Sequence, residues 1–426
     1  MSVLFKNFLL CDGGMERARY GSLLVRDGKI AGIDDEGRSY EADEIIEGQG
    51  RAALLPGFVN AHTHSAMSLL RGIGEEAPLM EWLEKKIWPV EARLRTEHVY
   101  WGTKLALLEM ISGGATAFCD MYFEMDSVAE ASLEMGARCA LSRGLVGDDR
   151  EKFAEGLRLA DTWRGREEFV TVQLAPHAPY TVPLPFMKEV AAAAKERGLA
   201  LHVHFLEAEW EAGYLQKEFG MTPGEYLASS GITDAPGALL AHCVWLEPSV
   251  LDEVDFANMT IVHNPDSNMK LGSGVMDLPG LLSRGAAVAL GTDGAASNNR
   301  LDLWEEMRSA ALLHKGVSKD PTAVPARDVL RMGTFEGAAA AGFKNKGMLK
   351  EGWAADFAVV DLDRPNYVGI DEENAFHYLV YAGSSADVTG TMVAGKWLYR
   401  DGEFKTADKK EILAKAREMR DNLLEG

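Results

Sequence analysis

Three short polar clusters in the sequence contain residue types that bind divalent metals. The runs HTH and HVH place His62 and His64, and His202 and His204, at positions i and i+2, and Asp293 stands in the run LGTDG. Residues i and i+2 of a β-strand point to the same face, so each pair directs both imidazoles to one side. Imidazole nitrogens and carboxylate oxygens are ligands of zinc and related ions. A single HxH pair is weak evidence, because structural histidines produce the same pattern.

Each of these clusters comes at the end of a short apolar run that is typical of a buried strand. Eight such runs alternate with helical stretches along the middle of the chain: GFVNAHTH, ATAFCDMY, ARCALSRG, FVTVQLAPHAPY, LALHVHF, GALLAHCVW, MTIVHNPDS and AAVALGTDG. Eight β/α units over about 300 residues predict a (β/α)8 TIM barrel, whose reactive groups lie at the carboxyl ends of the strands. A doubly wound open sheet is the alternative, but its Gly-rich phosphate-binding turn is absent after the first strand.

This barrel places the three clusters together. They come from three strands, the first, the fifth and the eighth, and each lies at the carboxyl end. An aspartate at the end of an apolar strand is costly to bury without a partner, and a metal ion provides one. The pattern therefore predicts a metal site at the top of the barrel.

The two ends of the chain differ from the middle in their sequence pattern. Both are rich in short strands separated by Gly/Asp turns, and each is too short to form a stable unit alone. We predict that residues 1–56 and 351–405 combine into one small β-sandwich domain, that residues 57–350 form the barrel, and that residues 406–426 form a C-terminal helix.

Composition and charge exclude several classes of protein. The 426 residues are 47% hydrophobic and carry 44 basic and 65 acidic side chains, a net charge of −21 that disfavours nucleic acid as a partner. The four cysteines form no CxxC pair and lie mostly in apolar runs, so neither a zinc ribbon nor a disulfide framework is expected. We find no signal peptide and no membrane-spanning run, and expect a cytoplasmic protein.

Longer motifs extend the analysis, because PGFVNAHTHSAMSLLRG, HNPDSNMKLGSG and LGTDGAASNN resemble strand ends of the amidohydrolase superfamily. More narrowly, HTHSAMSLLRGIGEEAPLMEWLEKKIWPVEARL, APHAPY and HVHFLEAEWE resemble the 5-methylthioadenosine/S-adenosylhomocysteine deaminases, over about residues 3–400. One departure is Ala208, where members of that family usually carry threonine. The resemblance implies metal-dependent hydrolytic deamination of a 6-aminopurine nucleoside.

The resemblance also implies the metal ligands: His62, His64, His204 and Asp293. Of the strand-five pair, His204 matches the family's ligand, and a structural role is expected for His202. Some hydrolases of this fold hold two metals through a lysine at the end of strand four, but VTVQLAPHAPY contains none. We therefore expect one Zn²⁺ per chain, with Fe²⁺ or Ni²⁺ as alternatives.

Catalytic roles are expected for three residues near this site. Glu207, three residues beyond His204, is the candidate general acid, and in the family it protonates the ring nitrogen beside the attacked carbon. Asp293 is expected to accept a proton from the attacking water as well as to bind metal. His242, at the end of strand six, is expected to hydrogen-bond the zinc-bound hydroxide, whereas in two-metal relatives that position is a ligand. Glu209 and Glu211 have the pattern of a solvated helix face.

Substrate contacts are expected for Glu91, Arg143 and His177, and for Glu207 and Asp293 as well. The resemblance implies that Glu91 accepts hydrogen bonds from the ribose hydroxyls and that His177 contacts substrate. Arg143, at the end of strand three, suits the carboxylate of a homocysteine tail. Its alternative role is a salt bridge with carboxylates at the top of the barrel.

Other functions remain as alternatives. One is deamination of adenosine or 5′-deoxyadenosine. Another is an amidohydrolase acting on guanine, a pterin, a triazine or a cyclic amide, which would give Glu91 and Arg143 nothing to bind. The alternative from another class is a catalytically inactive barrel used as a scaffold, which loss of the metal ligands would mark. The sequence leaves a homo-oligomer open.

Overall fold

The computed structural model describes residues 2–34, 40–166 and 168–425. The chain folds into strands and helices that alternate through its middle part. The strands are β1 (Ser2–Leu10), β2 (Arg19–Arg26), β3 (Lys29–Asp34), β4 (Glu44–Glu47), β5 (Ala52–Pro56), β6 (Phe58–Thr63), β7 (Ala115–Tyr122), β8 (Arg138–Leu145), β9 (Val170–Pro176), β10 (Ala200–Phe205), β11 (Ala238–His242), β12 (Met259–His263), β13 (Ala287–Leu290), β14 (Phe357–Asp361), β15 (Val388–Val393), β16 (Lys396–Arg400) and β17 (Glu403–Phe404).

Most of the longer helices cover the outside of the barrel. The α-helices are α1 (Leu79–Trp82), α2 (Trp88–Glu91), α3 (Thr96–Ser112), α4 (Met125–Met135), α5 (Arg150–Trp163), α6 (Leu184–Arg197), α7 (Trp210–Phe219), α8 (Pro223–Ser230), α9 (Val250–Glu253), α10 (Pro265–Lys270), α11 (Leu278–Ser283), α12 (Leu303–Ser318), α13 (Ala326–Arg331), α14 (Gly337–Ala340), α15 (Ala375–Ala382) and α16 (Lys409–Glu425). Leu83–Ile87 and Met332–Glu336 are π-helical, and Ser65–Leu70, Ile232–Asp234, Pro365–Tyr367 and Ser385–Asp387 are 3₁₀-helical.

Strands β6 to β13 form one parallel sheet in which every strand lies beside the next in sequence. The sheet closes where the Asp293 N–H donates to the His62 carbonyl at 2.9 Å, joining the end of β13 to that of β6. Gly291 permits this approach, since a Cβ there would lie 2.8 Å from the His62 nitrogen. All six residues of β6 and all eight of β7 are buried, as strands covered on both faces require. The predicted barrel is confirmed.

The terminal strands combine into a second sheet, as predicted. Its order is β17-β16-β15-β14-β5-β1-β2-β3, with β4 pairing β1 in parallel. The sheet has its own core, in which Phe5 packs edge-on against Phe8 and Phe357. Arg138, at the start of β8, joins it to the barrel by donating to both carboxylate oxygens of Asp356, at 2.6 and 2.9 Å.

The last helix, α16, lies against the barrel near its metal-ligand end. Ala416 and Met419 pack on Leu69, which belongs to the 3₁₀ segment directly after His64. The four cysteines are buried thiols. Among the described residues, no helix has both the length and the apolar character that a membrane crossing needs.

Candidate active site

Most of the predicted site residues meet at the carboxyl end of the barrel, around a cavity of about 330 Å³. Seven of the nine line its wall: His64, Glu91, His177, His204, Glu207, His242 and Asp293. The other two are His62, which lies at the base of the ligand cluster with no exposed surface, and Arg143, which lies behind the wall. The two-residue spacing of the HxH pair works as predicted, because His62 and His64 bring their rings within 4.9 Å.

Two of the histidines have their tautomers fixed by backbone carbonyls. His64 Nδ1 lies 2.5 Å from the Met121 carbonyl, and His204 Nδ1 lies 3.0 Å from the His177 carbonyl. A carbonyl oxygen only accepts, so each Nδ1 must carry the proton, and the neutral ring then has its lone pair on Nε2. Those two Nε2 atoms face each other at 3.4 Å. Two facing lone pairs repel one another unless a cation lies between them.

His62 and Asp293 complete the cluster. His62 Nδ1 contacts His202 Nε2 at 2.8 Å, which gives His202 the supporting position expected from the sequence. His62 Nε2 has no hydrogen-bond partner among the described residues, although the ring is fully buried. Asp293 Oδ1 lies 3.5 Å from that nitrogen and 3.2 Å from His64 Nε2.

These residues fit a divalent metal ion. Ligand atoms at about 2.0–2.2 Å from a tetrahedral ion lie roughly 3.3 Å apart, the spacing observed between these nitrogens and oxygens. His62, His64 and His204 offer atoms within 4.8 Å of one another, as do His62, His242 and Asp293. His242 is therefore close enough to be a fifth ligand. A divalent ion at this position would pair with the orphaned His62 Nε2 and with the facing Nε2 atoms of His64 and His204.

Asp293 is held firmly in place. Its Oδ1 accepts the Gly294 N–H at 2.8 Å, and its Oδ2 accepts the hydroxyls of Ser267 and Ser297 at 2.7 and 2.8 Å. Burial alone would raise the pKa of this carboxyl, but the adjacent imidazoles of His62 and His64 hold it well below its usual range. Asp293 is thus a carboxylate, the form that binds a cation. The two serines escaped the sequence analysis, although both lie in the quoted motifs.

Glu207 lies beside this cluster. It is 5% exposed, and its Oε2 is 3.7 Å from His242 Nε2, while Ser273 Oγ is 3.5 Å from Oε1. Burial raises the pKa of Glu207, although the nearby His242 acts in the opposite direction. A carboxyl with a raised pKa retains its proton closer to neutral pH, which a general acid needs.

The prediction for Glu211 is wrong. The sequence suggested a solvated helix face, and Glu209 is indeed exposed, but Glu211 is only 3% exposed. Its carboxylate accepts the backbone N–H groups of Leu206, Glu207 and Ala208, each at 2.9 Å. Burial raises its pKa to about 7, against the effect of the backbone hydrogen bonds. The side chain turns back from the first turn of α7 into the loop, which a helical periodicity cannot indicate.

Glu91 faces the same cavity from α2. The Tyr122 hydroxyl, at the end of β7, donates to Glu91 Oε1 at 2.7 Å. Burial raises the pKa of Glu91, and the hydrogen bond from Tyr122 lowers it. Tyr122 also lines the cavity. The sequence analysis did not single it out, although its place at the carboxyl end of a barrel strand is a usable signal.

His177, expected from the sequence to contact substrate, lines the cavity with a side chain that follows β9. Its Nδ1 lies 3.0 Å from Thr181 Oγ1, and its ring lies 4.5 Å from that of His204. Burial lowers the pKa of His177 to about 3, so the imidazole is neutral near pH 7. Four apolar residues of the segment before α3 also line the cavity: Leu79, Trp82, Leu83 and Trp88.

Arg143 forms the salt bridge that the sequence analysis gave as its alternative role. Its Nε donates to Glu155 Oε2 at 2.8 Å and its Nη1 to the Gly144 carbonyl at 3.0 Å. The guanidinium carbon lies 5.3 Å from the ring centre of Phe123. Phe123 and Gly144 line the cavity, so the arginine lies directly behind its wall.

Comparison with known proteins agrees with this geometry. Residues 53–398 match the model of the amidohydrolase family. A 5-methylthioadenosine/S-adenosylhomocysteine deaminase of Dictyoglomus thermophilum is 43% identical over 391 residues, covering 91% of each chain. A 5′-deoxyadenosine deaminase of Methanothermobacter thermautotrophicus is 41% identical over 95% of this chain and 94% of its own.

A solved structure is similar over the full length. The crystal structure of an adenosine deaminase from Xanthomonas campestris, with bound zinc, superposes with a TM-score of 0.94 at 32% identity, covering 100% of this chain and 99% of that one. The match to the family model spans most of the chain, and two relatives above 40% identity cover more than nine-tenths of it. The chain belongs to the amidohydrolase family.

Proposed function

We propose that the chain is a metal-dependent aminohydrolase acting on 5-methylthioadenosine and S-adenosylhomocysteine. Water replaces the 6-amino group of the purine, so that the C6–N bond breaks, a C6–O bond forms, and the products are the inosyl compound and ammonia. The relatives named for these substrates support the assignment. 5′-Deoxyadenosine is the second candidate substrate, because relatives of comparable similarity, at 41% and 40% identity, are named for it.

One observation carries the proposal. A single cavity is lined by Glu207, beside the cluster of metal ligands, and by Glu91, whose carboxylate is held by Tyr122. A 6-aminopurine nucleoside needs both groups, since its base must be protonated and its ribose diol must be bound. A free base or a triazine has no diol to occupy Glu91.

We assign one zinc ion per chain to His62, His64, His204 and Asp293, with His242 within reach of the same position. When bound, such an ion acts as a Lewis acid and lowers the pKa of a coordinated water to about 7. The tautomers fixed at His64 and His204 present unprotonated Nε2 atoms for this purpose. The hydroxyls of Ser267 and Ser297 donate to Asp293 Oδ2, which leaves Oδ1 directed at the histidines.

The protein's own residues move the protons. Glu207 gives its proton to the ring nitrogen next to the attacked carbon, which makes that carbon more electrophilic. The attacking water loses both of its protons as its oxygen becomes the C6 carbonyl, and Asp293 and the Glu207 carboxylate accept them. One proton passes to the amine, which departs as ammonia, and the other restores the proton on Glu207. His242, within 3.7 Å of Glu207, orients the carboxyl and hydrogen-bonds the incoming water. His177 stays neutral and contacts the nucleoside without adding charge.

The experiment that tests the function is ammonia release from a panel of 5′-substituted adenosines, with guanine and pterins as controls. We expect 5-methylthioadenosine and S-adenosylhomocysteine to be among the best substrates and guanine and pterins to be inert. Glu207→Gln keeps the shape but removes the proton transfer, so kcat should fall on the order of 10²-fold or more with unchanged metal content. Glu209→Gln, an exposed neighbour, is the matched control and should retain activity. Turnover of guanine or a pterin instead of the nucleosides would refute the assignment.

A further inference from the structure

The loop that carries Glu207 is built around a second carboxylate. The chain leaves β10 and turns sharply at Leu206, which has φ +51°, a left-handed conformation that a non-glycine residue adopts only at a cost in strain. Three consecutive N–H groups, those of Leu206, Glu207 and Ala208, then point inward. All three bind the buried carboxylate of Glu211 at 2.9 Å. Successive N–H groups that converge in this way form an anion-binding nest.

The side chain of Glu207 has few close contacts of its own. Its two polar neighbours, Ser273 Oγ and His242 Nε2, lie at 3.5 and 3.7 Å, which is long for a hydrogen bond. The position of its carboxyl therefore depends on the backbone from which it projects. That backbone is fixed by Glu211 on one side and by the Leu206 carbonyl, which accepts the Trp245 N–H at 3.0 Å, on the other.

We infer that Glu211 is a positioning residue for the reaction: its carboxylate holds the strained loop that aims Glu207 at the reacting base. The inference rests on the proposed role of Glu207 as the proton carrier. Glu211 itself is not among the residues that line the cavity, and its three hydrogen bonds go to backbone N–H groups. It acts by keeping three buried N–H groups paired and Leu206 in its left-handed turn. A misplacement of about 1 Å in a catalytic group is enough to cost on the order of 10²-fold in rate.

The test compares Glu211→Ala and Glu211→Gln with Glu209→Gln in the full-length, metal-loaded protein. We measure kcat and KM for 5-methylthioadenosine, metal content, and hydrogen–deuterium exchange of the peptide that contains residues 205–209. Removing the carboxylate with alanine should lower kcat on the order of 10²-fold and speed exchange of the three amides. Glutamine keeps one oxygen but turns an NH₂ group toward an N–H donor, so kcat of Glu211→Gln should fall on the order of 10-fold. KM and the ion content should change less than about 3-fold, since Glu91, His177 and the ligands are untouched.

The outcomes separate this inference from the proposed function. Unchanged kcat and unchanged exchange in Glu211→Gln would overturn the positioning role. A fall in kcat accompanied by a rise in KM and a loss of metal would overturn it as well, because those changes together indicate general unfolding. If Glu211→Ala does not fold, the near-isosteric glutamine variant still decides. If the wild-type protein releases no ammonia from the nucleosides, the proposed function fails, while the exchange measurement still reports whether Glu211 holds the loop. Glu209→Gln should match wild type in every measurement.

Discussion

Replacing Arg143 tests how the protein recognises the 5′ tail of its proposed substrates. S-adenosylhomocysteine ends in an amino acid with a carboxylate, whereas 5-methylthioadenosine ends in a neutral methyl group. A charge-assisted hydrogen bond contributes roughly 1.5–3 kcal/mol, and each 1.36 kcal/mol is tenfold in rate. Replacing Arg143 by methionine should therefore reduce kcat/KM for S-adenosylhomocysteine by about 10- to 100-fold if the arginine binds that carboxylate.

The structure shifts this estimate to its lower end. Glu155 already accepts from Arg143 Nε at 2.8 Å, so a substrate carboxylate would share a cation that is partly neutralised. We expect a loss of about tenfold for S-adenosylhomocysteine in Arg143→Met and a much smaller loss for 5-methylthioadenosine. The partner change Glu155→Gln removes a competing carboxylate from an ion pair in which Glu155 is 32% exposed, an effect of about 0.5–1 kcal/mol. It should raise kcat/KM for S-adenosylhomocysteine by about 2- to 5-fold and leave 5-methylthioadenosine unchanged.

The assay is steady-state ammonia release with both substrates for each variant. Glu91→Gln provides the contrast: both substrates carry the ribose diol, so kcat/KM should fall by the same factor for each. Equal losses for the two substrates in Arg143→Met, together with no gain in Glu155→Gln, would show that the Arg143–Glu155 pair only supports the rim of the barrel. The tail would then be recognised by other residues.

Three further outcomes are expected. Elemental analysis should find about one divalent ion per chain, and chelation should abolish turnover and lower the melting temperature; two ions per chain would contradict the argument from strand four. Tyr122→Phe removes one hydrogen bond to Glu91, worth about 1 kcal/mol, so KM for both nucleosides should rise about fivefold with little change in kcat; a loss confined to kcat would refute this role. Arg138→Met leaves the Asp356 carboxylate buried and unpaired, and urea titration should show a destabilisation of about 3–5 kcal/mol. Adding Asp356→Asn should recover part of it, and no recovery would mean that the two residues do not act as a pair.

The sequence predicted the barrel and the ligand cluster well because both follow from local rules. Apolar runs define the strands, and in a parallel barrel every polar strand end faces the same side, so His62, His204 and Asp293 had to meet. The terminal β-strands were assignable for a similar reason, since neither end could form a stable unit alone. The domain boundaries within that scheme stay a prediction.

The supporting residues were harder to predict because their roles depend on contacts between distant segments. Tyr122 binds Glu91 across the cavity, and Asp120 accepts the hydroxyls of Thr63 and Ser65, each at 2.8 Å, in the loop that carries His64. No pattern within a single segment contains these pairs. Glu211 shows the opposite difficulty: the local pattern gave a clear expectation, and the tertiary structure overruled it.

The strained backbone of the site explains why so many supporting residues are needed. Leu206, His242 and Asp293 have φ values of +51°, +75° and +61°, and each lies where a barrel strand gives way to its loop. A left-handed conformation costs about 1–3 kcal/mol for a non-glycine residue, so the site stores several kcal/mol. Each of these turns has a polar partner: the Glu211 carboxylate at Leu206, the Asn268 side chain at 2.8 Å from His242 Nδ1, and the Ser267 and Ser297 hydroxyls at Asp293. At Leu206 the turn precedes Glu207, which lines the cavity, whereas at His242 and Asp293 the strained residue itself lines it. The strain is therefore the structural condition for bringing Glu207, His242 and Asp293 to one point, and the partners that offset it are as necessary to the geometry as the ligands themselves.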